Sequence, residues 1–277
     1  MIADLGKRLV RDRLALLGLV VLVAIGAAAL LAPWLTDRDP LDTDFLRRFE
    51  PPSREHPLGT DQLGRDLLAR LLYGARYTLG TGLAAMALIL LVGTAAGLAA
   101  GLLGGRIDAL LMRIVDVLLA FPSLILALAI VGMLGPSLTN VLIGIAAVGW
   151  ASYARIVRGQ VLSLREREFV EAAHALGAPR LWVARRHILP HVLPTIIVLA
   201  SLDMGNLLLA ISALSFLGVG AQAPTPEWGR MLNDARPFLW QAPHLMLFPG
   251  LAIFLVVLAF NFLGDGLRDL LDPRMRR

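Results

Sequence analysis

Residues 14–35 read LALLGLVVLVAIGAAALLAPWL, 22 residues without a charged side chain. At about 1.5 Å of rise per residue, a helix of that length reaches about 33 Å, enough to cross the hydrocarbon of a bilayer. The basic residues ahead of it, Lys7, Arg8, Arg11 and Arg13, resemble the start of a secretory signal. The apolar run is too long for one, so the stretch reads as a retained membrane helix.

The whole chain has the same bias. Charged residues make up 17% and hydrophobic residues 57%, with a mean hydropathy of +0.71. A soluble domain carries about 25% charged and about 45–50% apolar residues. Much of this apolar surface therefore meets lipid, not one globular core. There is no cysteine, which excludes a disulfide framework, thiolate metal sites and cysteine nucleophiles. The net charge of +5 does not point to nucleic acid, because the basic residues lie between apolar segments and not on one continuous face.

Further apolar runs follow at Tyr77–Leu103, from about residue 114 to 134, at Leu138–Ala154, from about 192 to 219 and from about 245 to 263, which makes six spans. Gly135 and Pro136 mark the turn that separates the third from the fourth. Between the first two spans, Asp37–Arg76 is broken by Pro40, Pro51, Pro52 and Pro57 and holds seven basic against eight acidic residues, net −1. Arg155–Pro190 holds seven basic against three acidic, net +4. Cytoplasmic loops carry the excess of Arg and Lys, so the second segment belongs inside and the first outside. With six spans, the N-terminal basic cluster and the tail Arg274, Arg276 and Arg277 also fall inside. Gly93, Gly97, Gly101 and Gly104, spaced by three or four, predict close helix packing.

The most informative loop reads REREFVEAAHALGAPRLWVARRHILP, Arg165–Pro190. Phe169, Ala172, Ala173 and Leu176 recur at helical spacing, and Gly177 followed by Pro179 supplies a stop. This predicts a short helix parallel to the membrane, followed by a second amphipathic piece over Arg180–Ile188. Pro190 and Pro194 fall at the start of the next span, where a helix tolerates proline. Ala172 and Ala173 leave room for a partner to approach, and Glu171 offers it a carboxylate. The competing reading is a helix lying on lipid headgroups.

Glu171-Ala172-Ala173, then Gly177, then Leu189-Pro190 resemble the EAA signature of transmembrane subunits of ATP-binding-cassette importers. Where the signature has an isoleucine ten residues after the glycine, this chain has His187, with Ile188 next to it. Arg186-His187-Ile188-Leu189-Pro190 is similar to the dipeptide and oligopeptide branch. So are His56-Pro57-Leu58-Gly59-Thr60-Asp61 with Leu63-Gly64-Arg65-Asp66, the turn Leu214-Ser215-Phe216-Leu217-Gly218, and Trp228-Gly229. The tail Asn261–Asp269 with Leu271-Asp272-Pro273-Arg274 resembles the second permease of peptide or nickel importers. Many relatives carry an acid where this chain has Ile211, four residues before the serine of the turn motif.

The resemblance implies an all-α integral membrane protein with six transmembrane helices, the type I importer permease fold, and both termini cytoplasmic. Residues 1–75 would form an N-terminal region with the first span and an extracytoplasmic segment. Residues 76–277 would form a five-helix core whose coupling loop covers about 155–190. Glu171, Ala172, Ala173, Leu176, Gly177, Leu189 and Pro190 would dock onto an ATPase subunit. The implied partners are a second homologous permease, two ATPase subunits, an extracytoplasmic substrate-binding protein and membrane lipid, with no nucleic acid. No cofactor is implied on this chain; ATP and Mg belong to the ATPase subunits. The implied location is a bacterial or archaeal cytoplasmic membrane. The implied cargo is a di- or oligopeptide, with a nickel complex or other small solute as the alternative.

Asp203 and Asn206 share a face of the fifth span at i and i+3. An acid at mid-membrane costs about 2.5 kcal/mol or more on insertion scales, which makes the pair candidates for a translocation pathway, the alternative being an interhelical hydrogen bond. Asp116, with Arg113 at i−3, reads as structural. His187 and His191 are four apart, but HExxH is absent and Pro190 interrupts the pair, so neither a metal site nor catalysis is expected. The sole lysine, Lys7, lies between Gly6 and Arg8, so the chain has no phosphate-binding P-loop and ATP hydrolysis must come from elsewhere. An ion-driven secondary transporter would be expected to show inverted repeats and more midplane charge than one clear acid.

Overall fold

The computed structural model describes residues 12–271, and all the regular elements among them are helical. The basic residues Lys7, Arg8 and Arg11 and the tail from Asp272 onward, including Arg274, Arg276 and Arg277, lie outside the described residues. Five helical runs are long and apolar enough to cross a membrane: Arg13–Leu30, Leu67–Leu103, Leu138–Arg165, Arg180–Phe216 and His244–Leu270. A bent pair supplies the material for a sixth crossing.

Helix α1, Arg13–Leu30, starts where the Asp12 carboxylate accepts the backbone N–H groups of Leu14 and Ala15 at 3.0 and 3.2 Å. It ends short of the expected Leu35, because Pro33 lies in a separate helical turn, Ala32–Leu35. Helix α2, Leu67–Leu103, is continuous through residue 75 and begins ten residues before the apolar run, capped by Asp66. Its glycines explain its packing against α5, Leu138–Arg165. A Cβ at Gly93, Gly97 or Gly101 would stand 2.6–2.7 Å from atoms of Tyr153, Ala154, Val157 or Val161. Gly104 is not part of that seam; it caps α2.

The expected third span is not one helix. Helices α3, Gly105–Leu119, and α4, Ser123–Leu134, meet at 93°. Pro122 lies at the break, where it offers no N–H and disfavours helical geometry at Phe121. Asp116 does not pair with Arg113 but with Arg155 of α5, and Asp108 pairs with Arg158 of α5 at 2.7 Å. Asn140, one turn into α5, donates to the carbonyls of Leu134 and Gly135 and so closes the end of α4.

Helix α6, Glu168–Ala175, is the short helix of the loop. Beyond it the chain coils through Arg180–Val183 and a π-helical segment, Ala184–Ile188, into α7, Leu189–Phe216. The wider turn has a local cause. Pro190 cannot donate into the ladder, and the N–H of Leu189 reaches back to the carbonyl of Ala184. A short helix α8, Trp228–Ala235, wedges among α2, α7 and α9, His244–Leu271. Helix α1 lies against α9, where a Cβ at Gly18 would stand 2.5 Å from the carbonyl of Ala259.

At the end of the bundle where α2 begins, charge is buried. His56, Asp61, Arg65, Asp66 and Arg70 are each less than 6% exposed. Asp61 accepts Arg65 Nε at 2.6 Å and faces Arg70 Nε at 3.4 Å, while His56 Nδ1 meets Asp66 at 2.9 Å. All but Arg70, which lies in the first turn of α2, are residues of the His56–Asp66 motif. Gly64 is required there, since φ is +77° and a Cβ would collide with the backbone of Asp44. At the same end Glu227 is fully buried as the N-cap of α8, accepting Gly229 N and Arg230 N and the hydroxyl of Thr78 on α2. Burial raises its pKa above the ordinary carboxylate value, against the pull of these donors.

Candidate functional site

Two places collect the residues singled out by the sequence, one just ahead of the helical run Arg180–Phe216 and one halfway along it. The first is α6. Val170 and Ala173, at i and i+3, turn toward the protein and are buried. Glu171, Ala172 and Leu176 turn outward, and Leu176 is 89% exposed. The apolar stripe expected over Phe169, Ala172, Ala173 and Leu176 is therefore split. Ala173 anchors the helix to its own chain and Phe169 turns its ring to α7, while Ala172 and Leu176 face away.

Gly177 ends the helix with φ +81°, and the N–H of Ala178 reaches the carbonyl of Ala173. This is a left-handed C-terminal cap, which explains the glycine by backbone geometry. A Cβ there would meet nothing within 4 Å. Leu181 and Trp182 extend the outward apolar surface. Leu189 is half-buried and Pro190 exposed in the first turn of α7, so they belong to the root of that helix and not to α6. Phe169 stacks on His191 with ring centroids 5.3 Å apart, which ties α6 to α7. No cluster of three or more His, Asp or Glu side chains that could hold a metal ion occurs among the described residues.

The second place is a cleft of about 190 Å³ among α2, α4, α5 and α7. Asp203 and Asn206 both line it, and both are exposed. Asp203 lies 14 residues after the first residue of α7 and 13 before its last, at mid-depth. It lines the cleft, and it accepts an interhelical hydrogen bond from the Tyr153 hydroxyl at 2.8 Å. Tyr153, at the middle of α5, is the residue that sequence reasoning missed. The available signal is a phenol in an apolar span, which needs a polar partner. A ligand pocket typically measures about 300–1,000 Å³. This cleft is smaller and partly open to its surroundings.

The helical run Arg180–Phe216 joins the two places. From Leu189 to Asp203 is about 21 Å along the axis at about 1.5 Å per residue.

Comparison with known proteins adds independent findings. Residues 93–277 match the family described as binding-protein-dependent transport system inner membrane component. Residues 1–52 match the N-terminal transmembrane domain of oligopeptide transport permease C. The chain is 50% identical over 270 residues to the dipeptide transport system permease protein DppC of Alkalihalophilus pseudofirmus, covering 98% of this chain and 89% of that one. It is 46% identical to the nickel transport system permease protein NikC of Escherichia coli, covering 94% of each. It is 44% identical to the glutathione transport system permease protein GsiD of Pectobacterium atrosepticum, covering 98% of this chain and 90% of that one. Among solved structures, an inward-facing MetNI methionine transporter matches with a TM-score of 0.59 at 17% identity, covering 72% of this chain and 95% of that one.

Proposed function

Because the chain belongs to the binding-protein-dependent transport system inner membrane component family, as a permease subunit of an ATP-binding-cassette importer in the peptide, nickel and glutathione branch, we propose that it carries di- or oligopeptides across the cytoplasmic membrane. It is a transport subunit, and the ATPase is a separate chain. The cargo reading leans on the relative at 50% identity, a dipeptide permease, and on the oligopeptide-permease match of the N-terminal region. The nickel relative at 46% keeps a metal cargo as the second reading.

The observation that carries the mechanism is the outward face of α6, where Glu171, Ala172 and Leu176 are exposed among the described residues. An apolar side chain so exposed on a short capped helix suits a cleft on an ATPase subunit. ATP binding would draw two ATPase subunits together, and α6 would move with them. The continuous run from Arg180 would then tilt α7 and change which side of the Asp203 cleft is open. A second homologous permease would supply the opposite wall, and a binding protein would deliver cargo at the Glu227 end. The net +4 loop supports placing α6 in the cytoplasm. The start of α1 and the end of α9 meet near Ala15 and Gly266, which supports a common side for the two chain ends.

Reconstitution of the chain with its partner subunits in proteoliposomes tests the cargo. ATP-dependent uptake of a labelled dipeptide is expected, with Ni²⁺ uptake at background. Nickel uptake without dipeptide uptake would replace the peptide reading by the metal one.

A further inference from the structure

We infer that Asp203 is a selector for positively charged groups on the passing cargo, and that Tyr153 is the positioning residue that aims its carboxylate. The inference rests on the reading of this chain as one wall of a translocation pathway, and it names what that wall recognises. Among the described residues Asp203 is the one charged residue lining the cleft; the other polar contributions are Ser123, Ser152, Tyr153 and Asn206, all neutral. The nearby arginines of α5 are occupied, Arg155 by Asp116 and Arg158 by Asp108. Among the described residues no cation stands within 4 Å of the Asp203 carboxylate.

A carboxylate at mid-depth with no counter-ion of its own makes the cleft attractive to cations and repels anions, and surrounding apolar walls screen that field poorly. Tyr153 donates to Oδ2 and is itself buried against Met86. One hydrogen bond satisfies part of one oxygen and leaves Oδ1 without a partner among the described residues. A carboxylate accepts several donors, so an ammonium group or a metal dication can bind there without displacing the tyrosine. Asn206, one turn further along the same helix, adds neutral polarity and no opposing charge. The shared chemistry is a positive group, and the ammonium of a peptide and a divalent metal ion both supply it.

The test uses the complete importer in proteoliposomes with three probes: labelled Ala-Lys, labelled Ala-Glu and Ni²⁺. Each rate is divided by the wild-type rate for the same probe, which cancels selection by the binding protein. Asp203→Asn is expected to lower the ratio of Ala-Lys to Ala-Glu uptake about tenfold, the scale of one lost hydrogen bond to a charged group. Asp203→Glu should restore the ratio, and Tyr153→Phe should shift it about threefold in the same direction as Asn, within the range of one net hydrogen bond. A shift confined to Ni²⁺ assigns the site to the metal, and one confined to the dipeptides assigns it to the organic cation. A uniform fall in all probes, or no change in any, overturns the inference and leaves Asp203 as an interhelical bond. If Asp203→Asn fails to assemble, Asp203→Glu and Tyr153→Phe decide the question alone. Absence of ATP-dependent uptake of any probe by the wild type would instead overturn the importer reading.

Discussion

At the end of the bundle that holds Glu227, six ionisable side chains, His56, Asp61, Arg65, Asp66, Arg70 and Glu227, are buried and find partners inside the chain. At the end that holds α6, the apolar side chains Leu176 and Leu181 are 89% and 81% exposed. The first end pairs within the chain the charge that is costly to desolvate, although Leu46 and Trp240 there are 97% and 95% exposed. The second holds its uncovered leucines on a short capped helix and the turn after it, the face proposed to meet an ATPase subunit. Buried charge thus closes one end from within, and the two ends should respond differently to substitution.

The largest effect is expected at the closed end. Asp61 receives Arg65 Nε at 2.6 Å, Arg70 Nε at 3.4 Å and the backbone N–H groups of Leu63 and Arg65. Asp61→Ala would leave two buried guanidinium groups without their counter-ion, a change of about 3–5 kcal/mol. A marked fall in the thermal unfolding midpoint in detergent is the expected result. An unchanged midpoint would mean that the cluster is hydrated and that the contrast between the ends is one of appearance.

An intermediate effect is expected at the open end, and it should be functional. Gly177→Val places a β-branched side chain at φ +81°, a left-handed conformation that costs an ordinary residue about 1–2 kcal/mol. The surrounding space is empty, so the damage comes from the backbone alone. The cap of α6 should re-form elsewhere, tilting Leu176 and Glu171, while the bundle melts as before. Loss of transport-coupled ATPase activity with an unchanged unfolding midpoint is expected. Gly177→Asn, which tolerates the left-handed region, should keep most of the coupling. Full coupling in the valine variant would remove the docking role of α6.

How far the sequence could be read differs along the same line. Spans are legible because lipid demands long uncharged runs, and five of the six appear as single helical runs. The bend at Pro122 is hidden because an apolar run reads the same through a turn as through a helix. The face of α6 is legible to within one residue. Its spacing predicts an apolar stripe, but only packing decides that Val170 and Ala173 turn inward. The two hydrogen bonds that define the cleft and the closed end, Tyr153 to Asp203 and Thr78 to Glu227, join residues 50 and 149 positions apart. No local pattern announces a partner at that separation. The Trp228-Gly229 and Leu214–Gly218 motifs flank Glu227 without indicating that the carboxylate between them is buried.

The smallest effect, a slope and not a step, would sharpen what the closed end is made of. Glu227 has no exposed surface, and its pKa is raised above the ordinary 4.5, first by burial, despite donors from Gly229, Arg230, Ser215 and Thr78. A carboxyl group whose pKa is higher in the folded than in the unfolded state favours folding when protonated. Its contribution is therefore full below the ordinary value and declines as pH rises from there to the folded value. Above both it is constant. This is opposite to a surface carboxylate held down by an arginine, as Glu55 is by Arg47, which stabilises only when ionised. Unfolding midpoints taken through the weakly acidic range should thus fall with rising pH in the wild type. Glu227→Gln should flatten that dependence, because the amide keeps a carbonyl acceptor for the α8 cap and carries no charge to desolvate. A slope that persists in the variant would mean that the α8 cap is not the pH-sensitive part of the closed end.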